Sequence, residues 1–114
     1  MSAQMVTVRE MNGITVIRVQ TEKVYQNEVP AFRQALQKIL KKKPQKVVVD
    51  LSVVTVMNSS GLGALIAMQD DMEKRRGRMV VAGLCPMMAQ LFEKMRLNQL
   101  FTVAIDQQEA FRAL

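Results

Sequence analysis

The sequence predicts an α/β fold: a single domain with a mixed, mostly parallel β-sheet, opened by an N-terminal β-hairpin and carrying about four packed helices. Three observations predict it. Residues 5–19 alternate apolar and polar on both sides of Asn12-Gly13, the strongest short hairpin signal. Lys46 to Leu51 is a near-continuous apolar run, the pattern of a strand covered on both faces. Beyond residue 26, stretches of helical period alternate with short apolar strands, and parallel strands need such crossovers. The 114 residues suffice for one core and not for two, and no repeat or low-complexity linker divides them.

In chain order, Met5 to Glu10 and Ile14 to Val19 form the hairpin, and Gln20 to Gln26, without a period, reads as a loop. Asn27 is placed to cap a first helix with Pro30 in its first turn, and Val29, Phe32, Leu36, Ile39 and Leu40 recur at helical spacing until Lys41-Lys42-Lys43-Pro44 stops it. The β-branched run resumes with Val53, Val54 and Val56 and breaks off at Asn58-Ser59-Ser60-Gly61. A second helix takes shape from Leu62 to about Arg76, with Leu62, Leu65, Ile66 and Met72 on one face and Gly77 closing it. Met79 to Ala82 is a buried strand. Pro86 opens a third helix whose Met88, Leu91, Phe92 and Met95 follow core spacing. Leu100 to Ile105 reads as the last strand, and Asp106 caps a final helix ending at Leu114.

Composition narrows the function classes. Aromatic residues are few and methionines number 10, so most methionines are expected as core filler, with exposed ones able to serve an adaptable surface. The single Cys85 cannot form an intrachain disulfide, the N-terminal MSAQMVTVRE lacks an apolar stretch behind a basic start, and no run approaches a bilayer span; a cytoplasmic location without membrane insertion is expected. Net charge is +6, concentrated in Lys38, Lys41, Lys42, Lys43 and Lys46 and in Lys74, Arg75, Arg76 and Arg78. Both clusters fall where a helix ends, so cations there complement the helix dipole. With one Tyr and no aromatic-basic interleaving, nucleic acid is not the expected partner.

The chain has no histidine, which removes the usual Ser-His-Asp and Cys-His nucleophiles and histidine-based zinc sites. The serines lie outside a Gly-x-Ser-x-Gly elbow, and Gly61-Leu62-Gly63 lacks the Lys of a phosphate-binding loop. Asp70 and Asp71 are adjacent on a helix and diverge by about 100°, a poor geometry for shared work. No enzyme activity, metal or cofactor is expected. What stands out is the corner itself, where a strand delivers two hydroxyls and a glycine to a helix N-terminus and so builds an exposed place tolerant of anions. By itself, Ser59 or Ser60 at such a place reads as an ordinary cap. Gly61 and Gly63 keep the helix start free of bulk for a close approach by another protein.

Asp50-Leu51-Ser52 followed by Met57-Asn58-Ser59-Ser60-Gly61-Leu62-Gly63 resembles the signature of STAS domains, specifically the bacterial anti-sigma factor antagonists, whose usual pattern is Asp-Leu-Ser, then Met-Asp-Ser-Ser/Thr-Gly-Leu-Gly. The resemblance extends to the hairpin, the Leu91-Phe92 helix and Leu97 to Phe101. It implies a partner switch: the unphosphorylated form binds an anti-sigma factor that is also a serine protein kinase and so releases a sigma factor, phosphorylation blocks this, and a serine phosphatase resets it. It further implies Ser59 as the phosphoacceptor, with Ser60 the second choice and its capping neighbour. A phosphate there adds about −1.5 to −2 charges, which a helix start holds without unfolding.

The partner is then expected on Glu22 and Val24 of the 21–26 loop, on Asn58, Ser59, Ser60, Gly61, Leu62 and Gly63, and on Ala64 and Met68 of the helix. Met68 lies off the stripe of Leu62, Leu65 and Ile66 and is offered as an exposed contact. Asn58 and Val24 stand where the family favours acidic residues. From these departures comes the alternative function, a non-phosphorylated STAS adaptor or scaffold subunit binding a transporter ATPase or a signalling complex. A homodimer is left open.

Overall fold

The structure, a computed structural model, describes residues 5–114; residues 1–4, part of the segment read above for a leader, lie outside the described residues. The hairpin forms from β1 (Val6–Met11) and β2 (Ile14–Val19), paired antiparallel with Met11 opposite Ile14 across an Asn12-Gly13 turn in which both residues have positive φ. Then follow β3 (Lys23–Val24), α1 (Val29–Leu40), β4 (Lys46–Asp50), β5 (Val56–Met57), α2 (Ser59–Lys74), β6 (Arg78–Ala82), α3 (Pro86–Lys94), a 3-10 turn (Leu97–Gln99), β7 (Thr102–Ala104) and α4 (Gln107–Ala113). This is the expected α/β domain, with four helices and a mixed sheet.

The main sheet has the order β1-β2-β4-β6-β7, antiparallel only between β1 and β2. Each crossover from β2 onward steps in the same direction, so right-handed connections place α1, α2 and α3 on one face. There Ile17, Val19, Val47, Val49 and Val81 meet Phe32, Leu36, Leu65, Met68, Met72, Met88 and Phe92 in the larger core. The opposite face carries Val16, Val48, Val80, Ala82 and Ala104 and is covered by α4 through Ala110, with Phe111 packed alongside. Burial on both sides explains the unbroken apolar run of β4. Met57, Met68, Met72, Met79 and Met88 are buried as core filler, whereas Met87 and Met95 are exposed.

Several boundaries differ from the sequence reading, each for a local reason. The β-branched run is not one strand: after Asp50 the chain turns, with the Val54 N–H donating to the Leu51 carbonyl, and Val56–Met57 pairs in a separate parallel ribbon with Lys23–Val24 inside the expected 20–26 loop. Asn27 is not the cap of α1. Glu28 takes the N-cap position, because Gln26 turns at positive φ and the Glu28 N–H donates back to Tyr25. Helix α2 begins at Ser59 rather than Leu62 and ends at Lys74; Arg76 then takes φ 58°, its N–H reaching the Glu73 carbonyl and that of Gly77 the Met72 carbonyl. Gly77 fits closely there: a Cβ would lie 2.8 Å from Met72 Cε and 3.1 Å from the Gln45 carbonyl. Met95 is the exposed C-cap of α3, not a core residue. Leu100 is the C-cap of the 3-10 turn and Phe101 follows it, both N–H groups donating to the Leu97 carbonyl, so the last strand is Thr102–Ala104 and not Leu100 to Ile105.

The two basic clusters sit together at the far end of the sheet from the serine corner. The Arg75 guanidinium pairs with Asp71 at 3.2 Å and donates to the Pro44 carbonyl, Lys74 pairs with Asp70 at 3.1 Å, and the Arg78 N–H donates to the Gln45 carbonyl. Among the described residues, no helix is long and apolar enough to cross a membrane.

Candidate functional site

The corner is built by the end of β4, the turn after it and the β5–α2 junction. Asp50 closes β4 and is only 6% exposed. Its Oδ1 accepts the Ser52 N–H at 2.8 Å and its Oδ2 the Gln107 amide at 2.6 Å. Burial pushes the carboxyl upward, but Ser52, through hydroxyl and backbone N–H, the Gln107 amide and the Arg18 guanidinium outweigh it and hold Asp50 below the usual carboxylate range. Gly83, at φ 78°, passes so close that a Cβ there would be 3.1 Å from Ser52 and 3.4 Å from Asp50 Oδ1. Asp50-Leu51-Ser52 is thus a structural brace, with Leu51 fully buried.

From this brace the chain runs into the small ribbon. The Glu22 carbonyl accepts the N–H groups of Thr55 and Val56, and the Val24 carbonyl accepts that of Asn58. Pairing of β3 with β5 therefore brings the 21–26 loop against the serine corner. Asn58, in extended conformation, is the N-cap of α2: its Oδ1 accepts the Gly61 N–H at 2.9 Å. The expected capping by a serine is corrected by this bond. A cap supplied one residue earlier leaves Ser59 and Ser60 in the first turn, exposed, with neither hydroxyl engaged in a hydrogen bond among the described residues.

The two glycines have different tasks. A Cβ on Gly61 would lie 2.6 Å from Met57 Cγ and 3.2 Å from Val24, so this glycine lets the helix start close onto the ribbon beneath and does not clear a path outward. A Cβ on Gly63 would meet nothing within 4 Å. Of the other expected contact residues, Glu22 is exposed and Asn58 half-buried, while Val24, Leu62 and Ala64 lie in the core. Met68, expected as an exposed contact, is 1% exposed. It lies on the side of α2 that packs against α1, where it and Ala64 line the groove also formed by Leu36 and Leu40. These buried side chains shape the surface from below.

One residue at the corner was not singled out from sequence. Arg33 of α1 places Nη2 3.5 Å from the Ser60 carbonyl. No sequence spacing relates α1 to the start of α2; only the packing of the two helices does. Chemically the corner offers two free hydroxyls at a helix start, beside a cation, without a base hydrogen-bonded to either. A helix start favours negative charge, and no base among the described residues activates either hydroxyl. Among the described residues, no cluster of His, Cys, Asp or Glu could hold a metal ion.

Comparison with known proteins adds the family and the fold. A family model, the STAS domain, matches residues 5–110. An anti-sigma factor antagonist from Mycobacterium paratuberculosis superposes with a TM-score of 0.86 at 25% identity, covering 95% of this chain and 91% of that one. An anti-sigma-factor antagonist (STAS) domain protein from Planctomyces limnophilus gives 0.83 at 18% identity, covering 95% and 96%. The Bacillus cell fate determinant SpoIIAA in its phosphorylated form gives 0.70 at 17% identity, covering 96% and 99%.

Proposed function

Since the chain belongs to the STAS domain family, we propose that it is an anti-sigma factor antagonist whose binding is switched by phosphorylation of Ser59. The unphosphorylated corner docks on an anti-sigma factor that is also a serine kinase, and a sigma factor is released. Phosphate on Ser59 ends that contact, and a serine phosphatase restores it. The observation that carries this reading is the division of labour at the helix start: Asn58 supplies the cap, so Ser59 is free to be modified without unfastening α2. Asn58 also puts no carboxylate beside a phosphate of about −1.5 to −2 charges, so the modified corner is held by the helix dipole without an adjacent repulsion. The switch then acts on the docking surface and leaves the fold alone. The rest of that surface is Glu22, Ser60 and Gly63, shaped from beneath by Val24, Gly61, Leu62, Ala64 and Met68.

The test is incubation with the cognate kinase and ATP, site mapping by mass spectrometry, and titration of the kinase with Ser59→Ala and Ser59→Asp. Phosphate is expected on Ser59. Ser59→Asp should bind at least about tenfold more weakly, the order of one lost charge-assisted contact. Binding indifferent to Ser59→Asp, with no phosphate incorporated by an active kinase, would instead point to the unphosphorylated adaptor.

A further inference from the structure

The face of the sheet covered by α4 is only partly covered. The helix lies over β4, β6 and β7 and leaves β1 and the outer half of β2 open. In that gap is a cavity of about 240 Å³ lined by Thr7, Arg9, Val16, Arg18, Gln20 and Gln107. Strand register explains the grouping. Arg9 stands opposite Val16 and Arg18 opposite Thr7, so the two arginines are diagonal neighbours on one face, their backbones about 7–8 Å apart. Both side chains are exposed, and among the described residues neither forms an ion pair.

One acid faces them: the Arg18 charge helps to keep the Asp50 carboxylate ionised, though the two form no ion pair among the described residues. Asp50 sits in register with Arg18, but its two oxygens are taken by Ser52 and Gln107. Gln107 in turn accepts from Arg9 Nη2 at 2.6 Å, so one amide is bonded to Asp50 on one side and fixes a guanidinium on the other. Arg9 spends one of its five N–H donors on this bond, and Arg18 makes none among the described residues. A hydroxyl completes the wall: Thr7 Oγ1 accepts from the Gln20 amide, which leaves its own proton to donate outward. Two guanidinium groups against one carboxylate leave this cavity with net positive charge, which an anion between the arginines would offset.

We infer that this cavity is an anion site in which Arg9 and Arg18 grip a phosphate group, with Thr7 donating a further hydrogen bond. Planar guanidinium forks match phosphate oxygens in pairs, which is what two diagonal arginines offer. At about 240 Å³ the cavity is below the usual range for whole drug-sized ligands and suits a headgroup. The ligand class is therefore inorganic phosphate or a small phosphate monoester with the ester arm in solvent. The site lies on the opposite face of the sheet from α2, is independent of Ser59, and stands or falls apart from the switch.

The experiment is a titration of the ¹⁵N-labelled full chain at low ionic strength with inorganic phosphate and, separately, with glycerol phosphate. Saturable shifts are expected at Thr7, Arg9, Arg18 and Gln107. Arg9→Gln and Arg18→Gln should each weaken binding about tenfold, as for a lost charge-assisted hydrogen bond, while Lys42→Gln changes nothing. Arg18→Lys keeps the charge without the fork, and should bind between the wild type and Arg18→Gln. Tighter binding of the ester identifies a phosphorylated metabolite as the occupant, equal binding free phosphate; both support the site. Shifts confined to residues 41–46, 74–78 or 58–61, or affinities unmoved by both Gln variants in a chain with native spectra, would overturn it.

Discussion

The starts of α2 and α3 lie side by side at the carboxyl ends of β4 and β6, yet they are made differently. At α2 the capping side chain is present, Asn58 on the Gly61 N–H, and a glycine closes the helix onto the ribbon below. At α3 the N-cap is Cys85, which makes no capping bond; its Sγ instead reaches the Val54 carbonyl at 3.4 Å, and Pro86 in the first turn removes an N–H that would need a partner. Helix α3 is held by what it buries, Met88 and Phe92, with the Phe92 ring 5.7 Å from Phe101. The difference teaches where a surface can be chemically free. A helix start fastened by its own cap can present hydroxyls to a visitor, whereas one fastened from below presents apolar side chains such as Met87 at 64% exposure.

The largest effect that would break this contrast is expected at Phe92. Its replacement by Ala should cost about 3–5 kcal/mol in urea unfolding, because packing is what secures α3. Next is Gly61: Gly61→Ala places a methyl 2.6 Å from Met57 Cγ and should destabilise by about 1–3 kcal/mol, whereas Gly63→Ala, meeting nothing, should stabilise α2 by about 0.5–1 kcal/mol. Thermal unfolding of the pair with opposite signs would establish which glycine is structural. Asn58→Ala should lose about 1 kcal/mol through the missing cap, and Pro86→Ala, at an N–H that was never needed, only a few tenths.

The effect at Asp50 is distinguished by its dependence on pH. Its carboxyl lies below the ordinary value of 3.8 when folded, so its contribution is full above that value and is lost as pH falls through the lower folded one. Stability curves of Asp50→Asn and wild type should therefore be separated at neutral pH and converge in acid.

What was legible in the sequence was what one element can show by itself. The Asn12-Gly13 hairpin, the apolar run of β4, the helical spacing of Phe32, Leu36 and Ile39 and the capping role of Asp106 all follow from local pattern, and all appear in the fold. The Ser59-Ser60 corner was legible as a βα junction bearing hydroxyls. What could not be read came from contacts between elements. Met68 looks free on a helix wheel drawn for one neighbour, yet α2 has two, the sheet and α1. Lys23–Val24 has no strand period because a two-residue ribbon is too short to display one. The cap passed to Asn58 because helix α2 starts three residues before its first apolar residue, and a pattern of burial cannot mark a turn that is exposed.

The two-residue ribbon beneath the corner also decides how much order a docking partner finds there. Its second residues, Val24 and Met57, are paired with each other and buried in the larger core, so the ribbon ties the helix start to that core. The surface around Ser59 is therefore ordered from beneath before any visitor arrives. A protein docking there would lose little conformational freedom in holding it still.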